Sequence, residues 1–288
     1  MQLYALDQTK KLISAQRANR QQDYYCIECQ SCVRLRAGLQ RKRHFYHVQP
    51  TRSCRLHQKG PIHLQLQLHL YDLLPPQDCR LEYRLPEIGR IADVAWLSKK
   101  IVFEIQYSFI TSEEVERRNQ DYRKAGWQVV WILHDHLYNQ VRLTAAEQAL
   151  RTCPHYFTNM DREGKGCIYD QFDLVNKGLR KQRMKPLPVD LTQPQEFEKS
   201  SDSNKRLRLV FQRACQWPFF FSGDLSCLQR QKETSFYLQA AHMKEDQFYG
   251  DEALQAKKRA YQRMKSFIKH LFYPYRLLFH LWLEKACR

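Results

Sequence analysis

The sequence predicts an α/β fold with a small Cys/His module in front and a mostly helical region behind. Three observations carry this. Between residues 62 and 133 the hydrophobic period changes from helix to strand and back, in the order helix, strand, strand, strand, helix, strand. Residues 23–59 hold a dense set of Cys, His and basic side chains. From residue 208 onward the apolar residues recur mainly at helical spacing.

Each element has a local reason. Residues 1–22 read as a short β-type lead-in. Ile62, Leu66, Leu70 and Leu73 recur every three or four positions, and Pro75-Pro76 ends that helix. Arg80–Leu85, Ile91–Leu97 and Ile101–Tyr107 alternate or are rich in β-branched residues, as strands do. Thr111 and Glu114 have the spacing of a capping box, and Gly126 stands where a helix ends. Trp127–Leu133 is a buried strand. Residues 151–194 extend this core, the polar stretch 195–207 is expected to be a linker, and 208–288 is a basic helical region. The expected domains are therefore 1–60, 61–150 with its extension, and 208–288.

The formal net charge of +17 favours a polyanionic partner, DNA above all, because each Lys or Arg at a phosphate releases condensed counterions. Met1–Lys11 contains no apolar run of signal-peptide type, and Leu277–Leu283 is too short to span a bilayer. A cytoplasmic protein with no membrane partner is expected. In that reducing setting the 10 Cys read as metal ligands or core thiols.

Cys26-x2-Cys29 opens the basic block, and His44, His47, Cys54 and His57 follow. Zinc takes four Cys or His ligands in a tetrahedron. The set Cys26, Cys29, His47 and Cys54 is the expected structural zinc site. On an extended segment His44 and His47 point to opposite faces, so one of them faces the ion. His44 and Cys32 remain alternatives for the fourth ligand.

Glu82, Asp93, Glu104 and Gln106 lie on three successive predicted strands. The period of two puts Glu104 and Gln106 on one face, and a Ser98-Lys99 hairpin loop would place Asp93 opposite Glu104. Facing carboxylates repel unless a cation lies between them, and a hard divalent ion such as Mg²⁺ (or Mn²⁺) suits this oxygen set.

Cys26-x2-Cys29, His44-Phe45-Tyr46-His47, Arg90-Ile91-Ala92-Asp93-Val94 and Phe103-Glu104-Ile105-Gln106-Tyr107-Ser108, followed by Arg118, Tyr122 and Trp131-Ile132-Leu133, resemble the CoiA family of bacterial competence proteins. That family looks like a branch of the PD-(D/E)XK nuclease fold, whose core has the αβββαβ order inferred above. The resemblance implies that Asp93 and Glu104 are metal ligands, that Gln106 holds the usual Lys position and orients water, and that Glu82 is an additional acid. It implies metal-dependent hydrolysis of DNA in processing or recombination during transformation. Where the family pattern has a Glu and a Lys on the helix before the sheet, this chain has Gly60 and Gln67. These departures support an alternative reading, a catalytically inactive DNA-binding accessory factor. Arg41, Lys42, Arg43, Arg118, Tyr122, Lys257, Lys258 and Arg259 are the expected DNA contacts.

Overall fold

A computed structural model of the protein describes residues 1–38, 41–49, 54, 56, 59–197, 206–231 and 235–286. They divide into two compact units, Met1–Glu233 and Thr234–Arg288.

The first unit opens with a five-stranded antiparallel sheet. Its strands are β1 (Tyr4–Leu6), β2 (Leu12–Ser14), β3 (Asp23–Tyr25), β4 (Cys32–Gly38) and β5 (Arg41–His47), in the spatial order β2-β1-β3-β4-β5. Tyr24, Ile27, Val33, Leu35 and Phe45 form its small core, with Cys26 and Cys54 buried among them.

Helix α1 (Pro61–Leu73) follows. Pro61 sits in its first turn, where the missing N–H costs nothing. Strands β6 (Cys79–Leu85), β7 (Arg90–Trp96) and β8 (Ile101–Gln106) form an antiparallel meander. The β7–β8 turn closes with the Lys100 N–H on the Leu97 carbonyl at 3.2 Å, and Lys100 takes a left-handed φ of 52°. Helix α2 (Ser112–Lys124) starts with the Thr111 hydroxyl accepting from the Glu114 N–H at 3.2 Å. It ends in a Schellman arrangement: Trp127 N–H to Tyr122 O, Gly126 N–H to Arg123 O, with Gly126 at φ 74°. Strand β9 (Gln128–His134) returns parallel to β8. The helix, three strands, helix and strand read from the sequence are thus all present, with ends shifted by one or two residues.

Beyond them lie α3 (Ala145–Leu150), β10 (His155–Thr158), β11 (Ile168–Asp170), β12 (Asp173–Asn176), β13 (Leu179–Arg183), β14 (Leu187–Pro188) and β15 (Asp190–Glu196). Three of these complete a seven-stranded mixed sheet in the order β14-β11-β10-β9-β8-β7-β6, while β12 and β13 make a hairpin. One sheet face packs Phe103, Ile105, Val130 and Ile132 against Leu66 and Leu70 of α1. The other packs Val102, Trp131 and Leu133 against Val115 and Tyr122 of α2.

The expected linker begins inside β15, and most of it, residues 198–205, lies outside the described residues. After it come α4 (Arg208–Gln216), β16 (Phe219–Ser222) and α5 (Leu225–Arg230), all within the first unit. The aromatic run Phe219–Phe221 is therefore a strand paired with β15, and its rings are buried. The second unit is one long helix, α6 (Phe236–Ala286). No helix among the described residues is long and apolar enough to cross a membrane.

Candidate functional site

The β7–β8 ladder runs from Trp96–Ile101 to Val94–Phe103. Continued one step, the same register places Asp93 opposite Glu104. There the ladder stops. The Ile105 N–H turns from the backbone of β7 to Asp93 Oδ2, at 2.9 Å. A cavity of about 310 Å³ opens at this point, with Asp93 and Glu104 in its lining.

Both carboxylates are buried, at 5% and 3% exposure, so each needs compensating charge or donors. Asp93 Oδ1 has Lys59 Nζ at 2.7 Å and His63 Nε2 at 3.0 Å. Gln67, one turn after His63, donates to the Asp93 carbonyl at 3.0 Å. Glu104 Oε2 accepts from Arg118 Nη1 at 2.7 Å, and Glu104 Oε1 accepts from the Tyr122 hydroxyl. Arg118 and Arg90 are in turn held by Glu114.

The electrostatics of the two acids differ. Burial acts most strongly on Asp93 and would raise its pKa, yet His63 and Lys59 outweigh it and hold the carboxyl below the usual range. At Glu104 burial wins. It raises the carboxyl above its ordinary value against the pull of Arg118, with the charge of Asp93 adding to the rise. Lys59 is buried too, which would lower its pKa, but the charges of Asp93 and Glu82 push it above the ordinary lysine value.

Glu82 takes a left-handed φ of 47° within β6, a conformation that costs a non-glycine residue about 1 kcal/mol. Its Oε2 accepts from the Leu3 and Tyr4 N–H groups, at 3.0 Å each, and Lys59 Nζ lies 3.5 Å from Oε1. It ties the N-terminal sheet to β6 and is not among the residues lining the cavity. Gln106 lines the cavity, but its amide donates to the Ser108 carbonyl at 2.7 Å.

Cys26, Cys29, His47 and Cys54 come together with their ligand atoms all within 4.8 Å of one another. Cys26 Sγ and Cys54 Sγ are 3.6 Å apart, and Cys29 Sγ lies 3.2 Å from His47 Nε2. Two thiolates on a tetrahedral zinc with bonds of about 2.3 Å stand about 3.8 Å apart, so the group has the size of a zinc site. His44 Nδ1 lies 2.7 Å from the Lys42 carbonyl, and His44 and Cys32 are outside the group. His57 falls outside the described residues. Glu28, Leu56 and Lys59 from this N-terminal region form one wall of the cavity.

The expected DNA contacts divide. Lys42, Lys257, Lys258 and Arg259 are exposed. Arg43 donates to the Ala15 and Ala18 carbonyls at 2.9 and 2.7 Å. Arg41 lies on β5, and its side chain is outside the description. Tyr122 and Arg118 line the cavity with their side chains on Glu104, Tyr122 being 1% exposed. The α2 spacing of four placed them together correctly; the apolar burial of that helix face decided which way they point.

Sequence reasoning missed Lys59 as a partner of Asp93. It lies in an irregular segment with no periodicity to read. His63 and Gln67 did carry a signal, since two polar residues four apart interrupt an apolar helix stripe.

Comparison with known proteins bears on both parts. Residues 6–57 match the N-terminal domain of competence protein CoiA, and residues 59–172 match its nuclease-like domain. No curated protein and no solved structure matches the chain. The two matched stretches cover more than half of the 288 residues and meet at the wall of the cavity, so the chain belongs to the competence protein CoiA family.

Proposed function

We propose that the cavity is the centre of a metal-dependent deoxyribonuclease of the PD-(D/E)XK type, acting on DNA during competence. The observation that supports this most directly is the pair Asp93 and Glu104, buried face to face where the β7–β8 ladder opens. The pair offers hard oxygen donors beside cationic groups, which suits Mg²⁺ or Mn²⁺. Asp93 and Glu104 would hold the ion, which when bound would lower the pKa of a water and polarise the phosphodiester.

The chain's own residues do the rest. Gln106 carries no charge, so the positive charge that a lysine there would supply comes from Lys59 and Arg118, at opposite ends of the acidic pair. Both face the cavity, where they would bind the phosphate and stabilise charge building on its oxygens. Tyr122 and His63 fix the two carboxylates. A structural zinc on Cys26, Cys29, His47 and Cys54 would hold the segment that delivers Lys59.

One observation favours the accessory-factor reading. Every oxygen of Asp93 and Glu104 already faces a protein donor, and Gln106 is turned to Ser108. The test is cleavage of linear, single-stranded and branched DNA with Mg²⁺ or Mn²⁺, beside Asp93→Ala and Glu104→Ala. Cleavage by the parent, lost in both variants, supports the nuclease. DNA binding without cleavage in the folded parent supports the accessory factor.

A further inference from the structure

Helix α6 poses a separate problem. Every residue from 253 to 275 is exposed, the apolar ones included. Leu254, Tyr261, Met264, Ile268, Leu271 and Tyr275 are between 45% and 68% exposed. At about 100° per residue they fall, with Phe267 and Phe272, within one arc of roughly 140°. A helix with such a face in water needs something to bury it against.

The charge pattern says what. No Asp or Glu occurs between Glu252 and Glu284, while seven Lys and Arg do. Lys258, Lys265 and Lys269 recur at spacings of seven and four, which sets them in a row along one edge of the apolar arc. A second copy of the stretch between Glu252 and Glu284 would bring like charges together with no acid within it to pair them. Duplex phosphates would satisfy the lysine row and leave the apolar arc in water. An anionic bilayer surface satisfies both, with headgroups for the lysines and the acyl boundary for the apolar arc. The exposed rings of Tyr261, Tyr275 and Trp282, on that arc, are of the amphipathic kind that sits at headgroup level. The stretch is too charged to span a bilayer, which leaves it lying in the plane.

We infer that the distal half of α6 is an in-plane anchor for an anionic lipid surface. The inference is independent of the nuclease reading. Both would hold together in a protein that meets DNA at the membrane.

The test is co-sedimentation of the 288-residue protein with phosphatidylcholine vesicles, with and without about one third phosphatidylglycerol. The expected result is binding to the anionic vesicles alone, weakened by salt. The variants Ile268→Glu with Leu271→Glu, and Lys258→Gln with Lys265→Gln and Lys269→Gln, should each lower the partition by about tenfold or more. All these positions are exposed, so circular dichroism should show the fold retained. Three results would overturn the inference: no pelleting with anionic vesicles at low salt; pelleting that Ile268→Glu with Leu271→Glu leaves unchanged; or a lipid-free dimer that this variant splits, which would put a second copy on the face. If the lysine variant weakens DNA binding while vesicles never pellet, α6 serves nucleic acid instead.

Discussion

The first unit holds a Cys/His cluster and a buried acidic pair, and they are built in opposite ways. The Cys26, Cys29, His47 and Cys54 group brings four soft ligands to bonding separation, with Cys26 Sγ 3.2 Å from Gln2 Oε1 and Cys54 Sγ 3.2 Å from Glu28 Oε2. The Asp93–Glu104 pair already has protein partners: Lys59 and His63 on one acid, Arg118 and Tyr122 on the other. As metal ligands the sulfurs of the first group would be thiolates, which at this separation repel one another unless an ion lies between them. The second can stay folded without one, because its counter-charge is covalently part of the chain. Under the proposed function, a metal would be structural in one place and exchangeable in the other.

The largest effect should come from removing metal at the Cys/His group. Chelation, or Cys29→Ser with Cys26→Ser, should unfold the N-terminal sheet, since a structural zinc supplies about 10 kcal/mol or more. Hydrogen exchange would locate the loss, and bound zinc per chain would confirm its cause. Retained protection across β3–β5 after zinc removal would erase the contrast between the clusters.

Next comes chemistry. Glu104→Gln should lower Mg²⁺-dependent cleavage by at least about a thousandfold while leaving the zinc content intact. Unchanged cleavage would move the catalytic centre elsewhere.

Lys59→Met tests whether the acidic pair is compensated from within. Leaving Asp93 without its cation should destabilise the fold by about 3 kcal/mol at neutral pH, read by denaturant unfolding. The pH window follows from the directions of the shifts. Asp93 lies below its ordinary value, so its contribution is present above the unfolded carboxyl pKa, about 4, and is lost as pH falls further. Lys59 lies above its ordinary value, so its contribution is present below about 10 and is lost at higher pH. The gap between parent and variant should be widest between these limits.

The smallest effect has the opposite sign. Glu104 has its pKa raised by burial, so ionising it at neutral pH costs stability. Glu104→Gln should raise Tm by about 2 °C at pH 7, with the gain vanishing in acid as the parent's carboxyl is protonated. A fall in Tm would show that Arg118 depends on Glu104 more than on Glu114.

The parts of the fold legible in the sequence are those fixed by local signals. The β-period of Ile101–Gln106, the cap at Thr111 and Glu114, and the stop at Gly126 each specify their element within a few residues. Asp93 and Glu104 stood out because a carboxylate in an apolar strand is costly without a partner. What could not be read depends on distance in sequence. The pairing of β15 with β16 joins residues across the segment 198–205. The contact of Lys59 with Asp93 links an irregular stretch to a strand 34 positions later. The spacing of Arg118 and Tyr122 puts them on one face of their helix, but that this face meets Glu104 on a neighbouring strand depends on how the helix packs.

Glu82 has a consequence for the order of events on the ribosome. Its carboxylate accepts from the Leu3 and Tyr4 N–H groups, 79 and 78 positions earlier in the chain. The Cys/His segment emerges first, and Lys59 emerges well before Asp93. A nascent chain halted before β6 would lack both Glu82 and Asp93, the acids that Lys59 meets. Only when β6 and β7 follow are both acids present to hold the lysine in the wall of the cavity. Maturation would therefore be sequential, with the acidic pair receiving its counter-charge last.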